Sequence, residues 1–238
     1  MSPAAQGRAH ATRRGWFVTG TDTEVGKTTI AAAILHTLKH DGCRCVGMKP
    51  VASGCARARG HPCCEDVEIL RAQSSVTADI RDVSPYAFTR AVAPHLAARQ
   101  AGVVIELDKI RMHFEQLCTQ ADWVVVEGIG GWLVPLNEQH TVADLAVVLR
   151  LPVLLVVGIR LGCLNHALLT VEAIGRAGLV LAGWVANQIE AEVELVEENV
   201  DALKTQISAP LLGIIPHLGP RCSPEAVAAQ LAAVRRRP

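Results

Sequence analysis

Short apolar runs recur along this chain, and they set the architecture that we expect. Trp123–Val126 and Val153–Val157 contain no charged residue and show no alternation of polar and apolar positions. Strands that are buried on both faces of a parallel sheet have this pattern, whereas half-exposed strands alternate. We therefore predict parallel strands at these two runs. Four shorter runs are predicted to add further strands: Trp16–Val18, Val46–Met48, Leu181–Ala186 and Leu211–Ile215.

The segments between these runs have apolar residues three or four positions apart, which indicates amphipathic helices. Thr141 with Asp144 has the spacing of a capping box, and Ser223 followed by Pro224 is typical of a helix start. Alternating strands and helices predict the fold class α/β, as a single doubly wound, mostly parallel sheet with helices on both faces. The clearest apolar stripes are Ile30, Ile34 and Leu38; Leu107, Ile110, Phe114 and Leu117; and Val193, Val196, Val200, Leu203 and Ile207.

The length of 238 residues fits one domain, which we predict to cover residues 15–238. Met1–Arg14 contains three arginines, no acidic residue and no apolar core, so it lacks the pattern of a secretory signal. We predict a disordered N-terminal tail there, with an organellar transit peptide as the alternative. Ala52–Pro62 is the least regular stretch inside the domain, and we interpret it as an active-site loop.

The charge balance and the cysteines exclude several classes of protein. The 23 basic and 23 acidic side chains cancel, so we expect no nucleic-acid partner. No apolar run approaches the roughly 20 residues of a membrane span, so we expect no membrane and a cytoplasmic location. None of the eight cysteines forms a Cys-x-x-Cys pair, and free thiols are expected. A metal site at Cys55, His61, Cys63 and Cys64 is disfavoured, because adjacent cysteines are poor tetrahedral ligands.

A candidate phosphate-binding loop follows the predicted strand Trp16–Val18 and opens a predicted helix. Five residues separate Gly20 from Gly26, one more than in the usual pattern, and Lys27 and Thr28 follow. A helix N-terminus with free backbone N–H groups binds polyphosphate. Lys27 would reach the terminal phosphates and the Thr28 hydroxyl would ligate Mg²⁺. The segment therefore predicts a nucleotide site.

Other polar residues follow the predicted strands, at the sheet edge where doubly wound folds bind ligands. Glu127 is a candidate Mg²⁺ ligand because a carboxylate ends an apolar strand directly before a glycine-rich turn. Asp66 is a second candidate, unless it is a surface or capping residue of the predicted helix Glu65–Gln73. Lys49 is placed to stabilise a phosphoryl group during transfer. Asn187 and Pro216-His217 end two further strands.

Five motifs, in order over about residues 15–218, resemble the dethiobiotin synthetase family. They are Gly-Thr-Asp-Thr-Glu-Val-Gly-Lys-Thr at 20–28, Lys-Pro-Val-Ala-Ser-Gly at 49–54, Val-Glu-Gly-Ile-Gly-Gly-Trp at 126–132, Leu-Gly-Cys-Leu-Asn-His at 161–166 and Ala-Gly-Trp-Val-Ala-Asn at 182–187. The resemblance implies a P-loop NTPase-like fold and an ATP- and Mg²⁺-dependent cyclo-ligase of biotin biosynthesis. Such an enzyme joins CO₂ to 7,8-diaminopelargonic acid and closes a ureido ring, giving dethiobiotin, ADP and phosphate.

The resemblance also implies roles for individual residues. Lys27 and Lys49 would be catalytic, and Thr28, Asp66 and Glu127 would hold Mg²⁺. Ser53 would contact the diamine or its carbamate. Gly162, Cys163, Leu164 and Asn165 would bind the substrate carboxylate across a homodimer with a shared active site. ATP would be bound by Thr23, Glu24, Val25, Gly26, Lys27, Thr28, Thr29, Asp66, Glu127, Gly128, Ile129 and Gly130, and its adenine by Asn187, Gln188, Pro216, His217 and Leu218.

Two positions depart from the family's usual motifs. Ile129 replaces an alanine, and Gln188 replaces an aspartate, which leaves the base preference open. Amide-forming synthetases of the cobyrinate type share the phosphate loop but normally carry a glutaminase domain, for which this chain is too short. A regulatory or partitioning-type ATPase is the other alternative. That class places a second lysine where Asp22 stands here, which argues against it.

Overall fold

The computed structural model describes residues 14–58, 61–219 and 222–231. The predicted tail Met1–Arg14 lies outside these ranges apart from Arg14, which begins the first strand. In chain order the strands are β1 (Arg14–Gly20), β2 (Cys45–Met48), β3 (Val51–Ala52), β4 (Ala56–Ala58), β5 (His61–Cys63), β6 (Tyr86–Ala87), β7 (Trp123–Glu127), β8 (Val153–Ile159), β9 (Leu181–Gln188) and β10 (Leu211–Ile215). The helices are α1 (Lys27–His40), α2 (Glu65–Gln73), α3 (Ile80–Val83), α4 (Pro94–Gln100), α5 (Leu107–Gln120), α6 (Val142–Leu149), α7 (Cys163–Arg176), α8 (Val196–Gln206) and α9 (Pro224–Ala228).

Six parallel strands form the central sheet in the order β10-β9-β8-β1-β7-β2. β1 lies inside the sheet, and its Val18 pairs with Glu127 on one side and with Leu154 on the other. The chain builds β2 and β7 on one side of β1 and then β8, β9 and β10 on the other. The predicted doubly wound α/β fold is therefore confirmed, with a strand at each of the six predicted runs.

Helices cover both faces of the sheet, which explains why its strands lack polar alternation. Val124 and Val126 pack with Phe114 of α5 on one face. Val125 packs with Ile30 and other residues of α1 on the opposite face. Every residue of β8 is buried. Successive side chains of a strand point to opposite faces, so burial of both faces requires apolar residues at every position.

Both predicted helix-start signals are confirmed. The Thr141 backbone N–H donates to the Asp144 carboxylate at 2.7 Å, completing the capping box of α6. The Ser223 hydroxyl accepts from the Ala226 N–H at 3.1 Å at the start of α9. In the described residues, no helix combines the length and the apolar character needed to cross a bilayer.

The stretch Ala52–Pro62 and its cysteines differ from expectation. β4 and β5 pair as an antiparallel hairpin, so the stretch is more regular than predicted. A disulfide joins Cys55 to Cys64, with 4.3 Å between their Cα atoms, and the expectation of free thiols was wrong for this pair. The hairpin brings the two cysteines together, which their spacing alone does not reveal. The other six cysteines, all within the described ranges, form no disulfide, and no group of three or more His, Cys, Asp or Glu side chains in those ranges could hold a metal.

Candidate active site

The phosphate-binding loop connects β1 to α1 and is anchored to a neighbouring strand. Gly26 has a φ of 94°, which favours glycine, and a Cβ there would lie 2.2 Å from Asn187 Nδ2. The Asn187 side chain donates to the Val25 carbonyl at 2.9 Å, and Val25 itself is buried. The loop is therefore fixed both by the core and by the end of β9.

Lys27 lies inside the loop, where its ammonium group donates to the Asp22 carbonyl at 2.7 Å. Only 6% of Lys27 is exposed. Burial, and then the nearby Lys49 charge, lower the pKa of Lys27 from 10.5 to about 8. A phosphate group bound in the loop would place negative charge beside this ammonium and stabilise its protonated form.

Lys49 occupies the centre of a buried polar cluster. Its ammonium donates to Glu127 Oε1, to Gly128 O at 3.2 Å and to Asp66 Oδ2 at 2.9 Å. The Thr28 hydroxyl donates to the same Glu127 oxygen at 2.8 Å. The ends of β2 and β7 and the first turns of α1 and α2 thus meet at one point, as predicted for the carboxyl edge of the sheet.

The charges of Lys49 and Asp66 stabilise each other, whereas the charge of Glu127 is disfavoured by its burial. Burial favours neutral Lys49, but Glu127 and Asp66 outweigh it and raise the pKa of the lysine. Burial likewise opposes ionisation of Asp66, and Lys49 outweighs it, so the pKa of Asp66 is lowered. Glu127 is almost completely enclosed, and burial raises its pKa despite the contact with Lys49.

The donor atoms of this cluster fit a magnesium ion. Glu127 Oε2 is buried and has no hydrogen-bond partner in the described part of the chain. A buried carboxylate oxygen without a partner is costly, and a bound cation removes that cost. Mg²⁺ prefers oxygen ligands, typically one or two carboxylates with hydroxyl and water. Thr28, Asp66 and Glu127 offer that set.

A cleft of about 730 Å³ opens over the phosphate loop and the Lys49 cluster. The predicted residues Ser53 and Ile129 line it, as does Gly130. The sequence reasoning missed the wall formed by Ala91–Pro94, which leads into α4 and includes its first residue. Pro94 at the first position of this helix was the signal that could have identified its N-terminus. The full lining is Thr23, Glu24, Gly26, Lys27, Thr28, Thr29, Lys49, Ser53, Asp66, Ala91, Val92, Ala93, Pro94, Glu127, Ile129, Gly130 and Val134.

Two predicted groups lie outside this cleft. The first is the set of residues predicted to bind adenine, in which Gln188 donates to Ala191 O at 3.3 Å and His217 is exposed. The second is the turn at Gly162, which has a φ of 90° and precedes α7. Of the described residues that line the cleft, none belongs to either group.

Comparison with known proteins gives consistent matches along most of the chain. A family model described as an AAA domain matches residues 14–225. The ATP-dependent dethiobiotin synthetase BioD of Aromatoleum aromaticum is 51% identical over 218 residues, which cover 92% of this chain and 96% of that protein. The protein of the same name from Pseudomonas aeruginosa is 50% identical over 219 residues, covering 91% of this chain and 95% of its own.

Solved structures of other proteins share the architecture. The MinD cell division protein of Aquifex aeolicus superposes with a TM-score of 0.57 at 19% identity, covering 94% of this chain and 96% of that one. The signal recognition particle receptor FtsY of Elizabethkingia anophelis, in complex with GDP, gives a TM-score of 0.53 at 15% identity, covering 97% of this chain and 67% of that one. At these identities the likeness concerns the fold alone.

Proposed function

The chain belongs to the ATP-dependent dethiobiotin synthetases, and we propose from this that its cleft converts 7,8-diaminopelargonic acid, CO₂ and ATP into dethiobiotin, ADP and phosphate. The observation that carries the proposal is the buried Lys49, held between Glu127 and Asp66 beside the phosphate loop. A synthetase that transfers a phosphoryl group to a substrate needs cationic and metal-binding groups beyond those that hold the nucleotide. Lys49 and its carboxylate partners supply such groups.

ATP would bind with its phosphates in the loop Thr23–Thr29. The backbone N–H groups at the start of α1 point at one site there, and the helix dipole favours negative charge. Lys27 would exchange its contact with the Asp22 carbonyl for a phosphate oxygen. The adenine would lie beside Asn187, Gln188 and Pro216–Leu218, on the far side of the loop from Lys49.

Thr28, Asp66 and Glu127 would hold Mg²⁺, which when bound neutralises charge on the phosphoryl oxygens. Glu127 is suited to this role because one of its oxygens is already held by Lys49 and Thr28, whereas the other has no partner among the described residues. Lys49 therefore orients a metal ligand as well as supplying positive charge of its own.

The proposed chemistry uses few protein groups. One substrate amine, in its neutral form, adds to CO₂ and loses a proton, leaving a carbamate that Ser53 would contact. A carbamate oxygen attacks the γ-phosphorus and ADP leaves, giving a mixed carbamic-phosphoric anhydride. The second amine attacks the carbonyl carbon, closes the ring and expels phosphate. Lys27 and Lys49 would stabilise the charge that accumulates on the transferred phosphoryl oxygens.

The active form would be a homodimer in which Gly162–Asn165 of one chain binds the substrate carboxylate of the other. The N-terminus of α7 carries no side-chain cap, which leaves backbone N–H groups for an anion. Exposed apolar side chains lie near it and support burial against a second copy: Leu161 is 103% exposed, Leu133 64% and Leu169 57%. Because the reaction consumes ATP, we propose the cytoplasm as its location.

The deciding experiment follows the product with ¹³C-bicarbonate. Incubation of the protein with ATP, Mg²⁺ and 7,8-diaminopelargonic acid should give dethiobiotin that carries one ¹³C atom in its mass spectrum. ATP should be hydrolysed appreciably only when the diamine and bicarbonate are both present. ATP turnover that is independent of the diamine, without a labelled product, would support a regulatory ATPase instead.

A further inference from the structure

The disulfide Cys55–Cys64 connects two walls of the cleft. Ser53, two residues before Cys55, lines one wall, and Asp66, two residues after Cys64, lines another. Both half-cystines are buried, at 4% and 7% exposure, within the main apolar core. The cross-link therefore limits relative movement between the segment that contains Ser53 and the helix that contains Asp66.

On the side of Asp66, the N-cap residue of α2 is one of the two cysteines of the disulfide. Cys64 is the residue that precedes α2, and its side chain makes no capping hydrogen bond. Serine, aspartate or asparagine would usually hold the first turn at this position. The Cys64 carbonyl accepts the first helical bond, from the Glu68 N–H at 3.0 Å. The position of the first turn, which contains Asp66, thus depends on where Cys64 is held.

On the side of Ser53, Cys55 is anchored to the segment that leads to the Ala91–Pro94 wall. Its backbone N–H donates to Phe88 O at 3.0 Å, and the Gly54 N–H donates to Arg90 O at 3.1 Å. The side chain of Asp66 is 44% exposed where it pairs with Lys49. Few neighbouring atoms restrain so exposed a side chain, and no side-chain cap holds its helix turn. The contact between Asp66 and Lys49 therefore depends on a rigid backbone.

We propose that the Cys55–Cys64 disulfide, in the oxidised protein, is a positioning element for the active site, which holds Asp66 against Lys49 and thereby sets the affinity of the metal site. In a reducing cytoplasm the bond would be open and the site would bind metal more weakly. The two cysteines do not touch the reacting atoms and act through Asp66. The proposal rests on the proposed function only in assigning Asp66 to the metal. Opening the bond requires a two-electron reductant such as a dithiol, whose two thiols are oxidised to a disulfide while the sulfurs of Cys55 and Cys64 each gain an electron and a proton.

The first test is chemical. Alkylation of the purified protein in denaturant should label six cysteines without reduction and all eight after reduction, as read by mass spectrometry. Trypsin leaves Cys45 with Cys55 and Cys63 with Cys64 on shared peptides, so fragment-ion sequencing of these peptides should place the protected pair at Cys55 and Cys64. Eight labelled cysteines in an unreduced, air-oxidised sample would overturn the proposal at once.

The second test measures metal affinity without turnover. Mn²⁺ binding to the protein with ADP is titrated by electron paramagnetic resonance, before and after reduction with dithiothreitol, and in Cys55→Ser/Cys64→Ser. We expect Mn²⁺ affinity to fall about ten-fold, which is typical when a group that orients a metal ligand is lost. Cys63→Ser, which keeps the cross-link, is the matched control and should bind Mn²⁺ like the parent protein.

The third test asks whether the effect passes through Asp66. In Asp66→Asn, reduction should cause no further loss of Mn²⁺ affinity, whereas an equal loss in both backgrounds would show a general effect on folding and overturn the proposal. Hydrogen exchange of the Glu68 amide should accelerate on reduction. If these results hold but no dethiobiotin forms, the proposed function fails and the positioning role stands.

Discussion

Arg160 and Asp22 form an ion pair across the carboxyl edge of the sheet, with 2.5 Å between Arg160 Nη2 and Asp22 Oδ2. Arg160 lies just after β8, in the turn that leads to Gly162, whereas Asp22 belongs to the phosphate loop. The other Asp22 carboxylate oxygen accepts from the Thr23 N–H at 2.7 Å, and its carbonyl accepts from Lys27. One residue thus links the loop proposed for ATP to the turn proposed for the substrate carboxylate.

Removal of this link should weaken nucleotide binding. Asp22→Ala frees the Thr23 N–H and releases Arg160, so the loop loses part of its order before ATP binds. Because the pair is partly exposed, we expect a cost of about 1 kcal/mol, or a roughly five-fold weaker affinity. Isothermal calorimetry with ADP measures it. Arg160→Ala should add little to Asp22→Ala, and additive losses would contradict coupling between the two residues.

The two buried lysines should differ in their effects. Lys27→Ala should weaken ATP binding, because Lys27 is proposed to contact the phosphates in the ground state. Lys49→Ala should leave ATP affinity nearly intact and lower kcat by about 10²–10³, as expected for one lost transition-state donor. Calorimetry and steady-state rates separate the two, with Lys204→Ala on the exposed face of α8 as the control. An unchanged kcat in Lys49→Ala would remove it from the mechanism.

Two glycines offer a matched test of packing behind the site. A Cβ at Gly47 of β2 would lie 2.8 Å from Leu35 Cδ1 and 2.8 Å from Leu70 Cβ, so Gly47→Ala must displace these side chains of α1 and α2. We expect a loss of about 1–3 kcal/mol in the free energy of unfolding. Gly175 lies in α7 with nothing within 4 Å of an added Cβ, and Gly175→Ala should stabilise by about 0.5–1 kcal/mol. Urea denaturation of both variants checks the opposite signs.

A mixing experiment tests the shared active site. Gly162→Phe places a bulky side chain where the substrate carboxylate would bind, and it should be inactive alone, as should Lys49→Ala. In a randomised pool of the two, about half of the dimers are mixed and each has one intact site, so activity should recover to about a quarter of the parent value. Gly162→Asn, which tolerates the positive φ, controls for backbone strain. Mixed dimers without activity would mean that each chain builds its own site.

The sequence predicted the site best where polar residues directly follow strands of the sheet. Lys49, Glu127 and Thr28 could be grouped from the sequence alone, because the carboxyl ends of parallel strands meet at one edge. Asp66 could not be assigned in the same way, since its role depends on how α2 packs beside β2. The disulfide and the Ala91–Pro94 wall depend on how loops fold beside the cleft. The spacing of apolar residues does not predict the path of such loops. The assignments at Asn187–Gln188 and Gly162–Asn165 stay predictions.

The position of β1 between two unequal groups of strands has an evolutionary consequence. The groups proposed to act on the transferred phosphoryl group, such as Lys49 and Glu127, lie at the ends of β2 and β7 on one side of β1. Those proposed to bind the base, such as Gln188 and Pro216, lie at the ends of β9 and β10 on the other side. The phosphate loop, which follows β1, lies between the two sides. On these proposed assignments, substitutions that change the choice of nucleoside triphosphate should leave the groups that act on the phosphoryl group in place. Gln188, which stands where the family usually has aspartate, would be one such substitution.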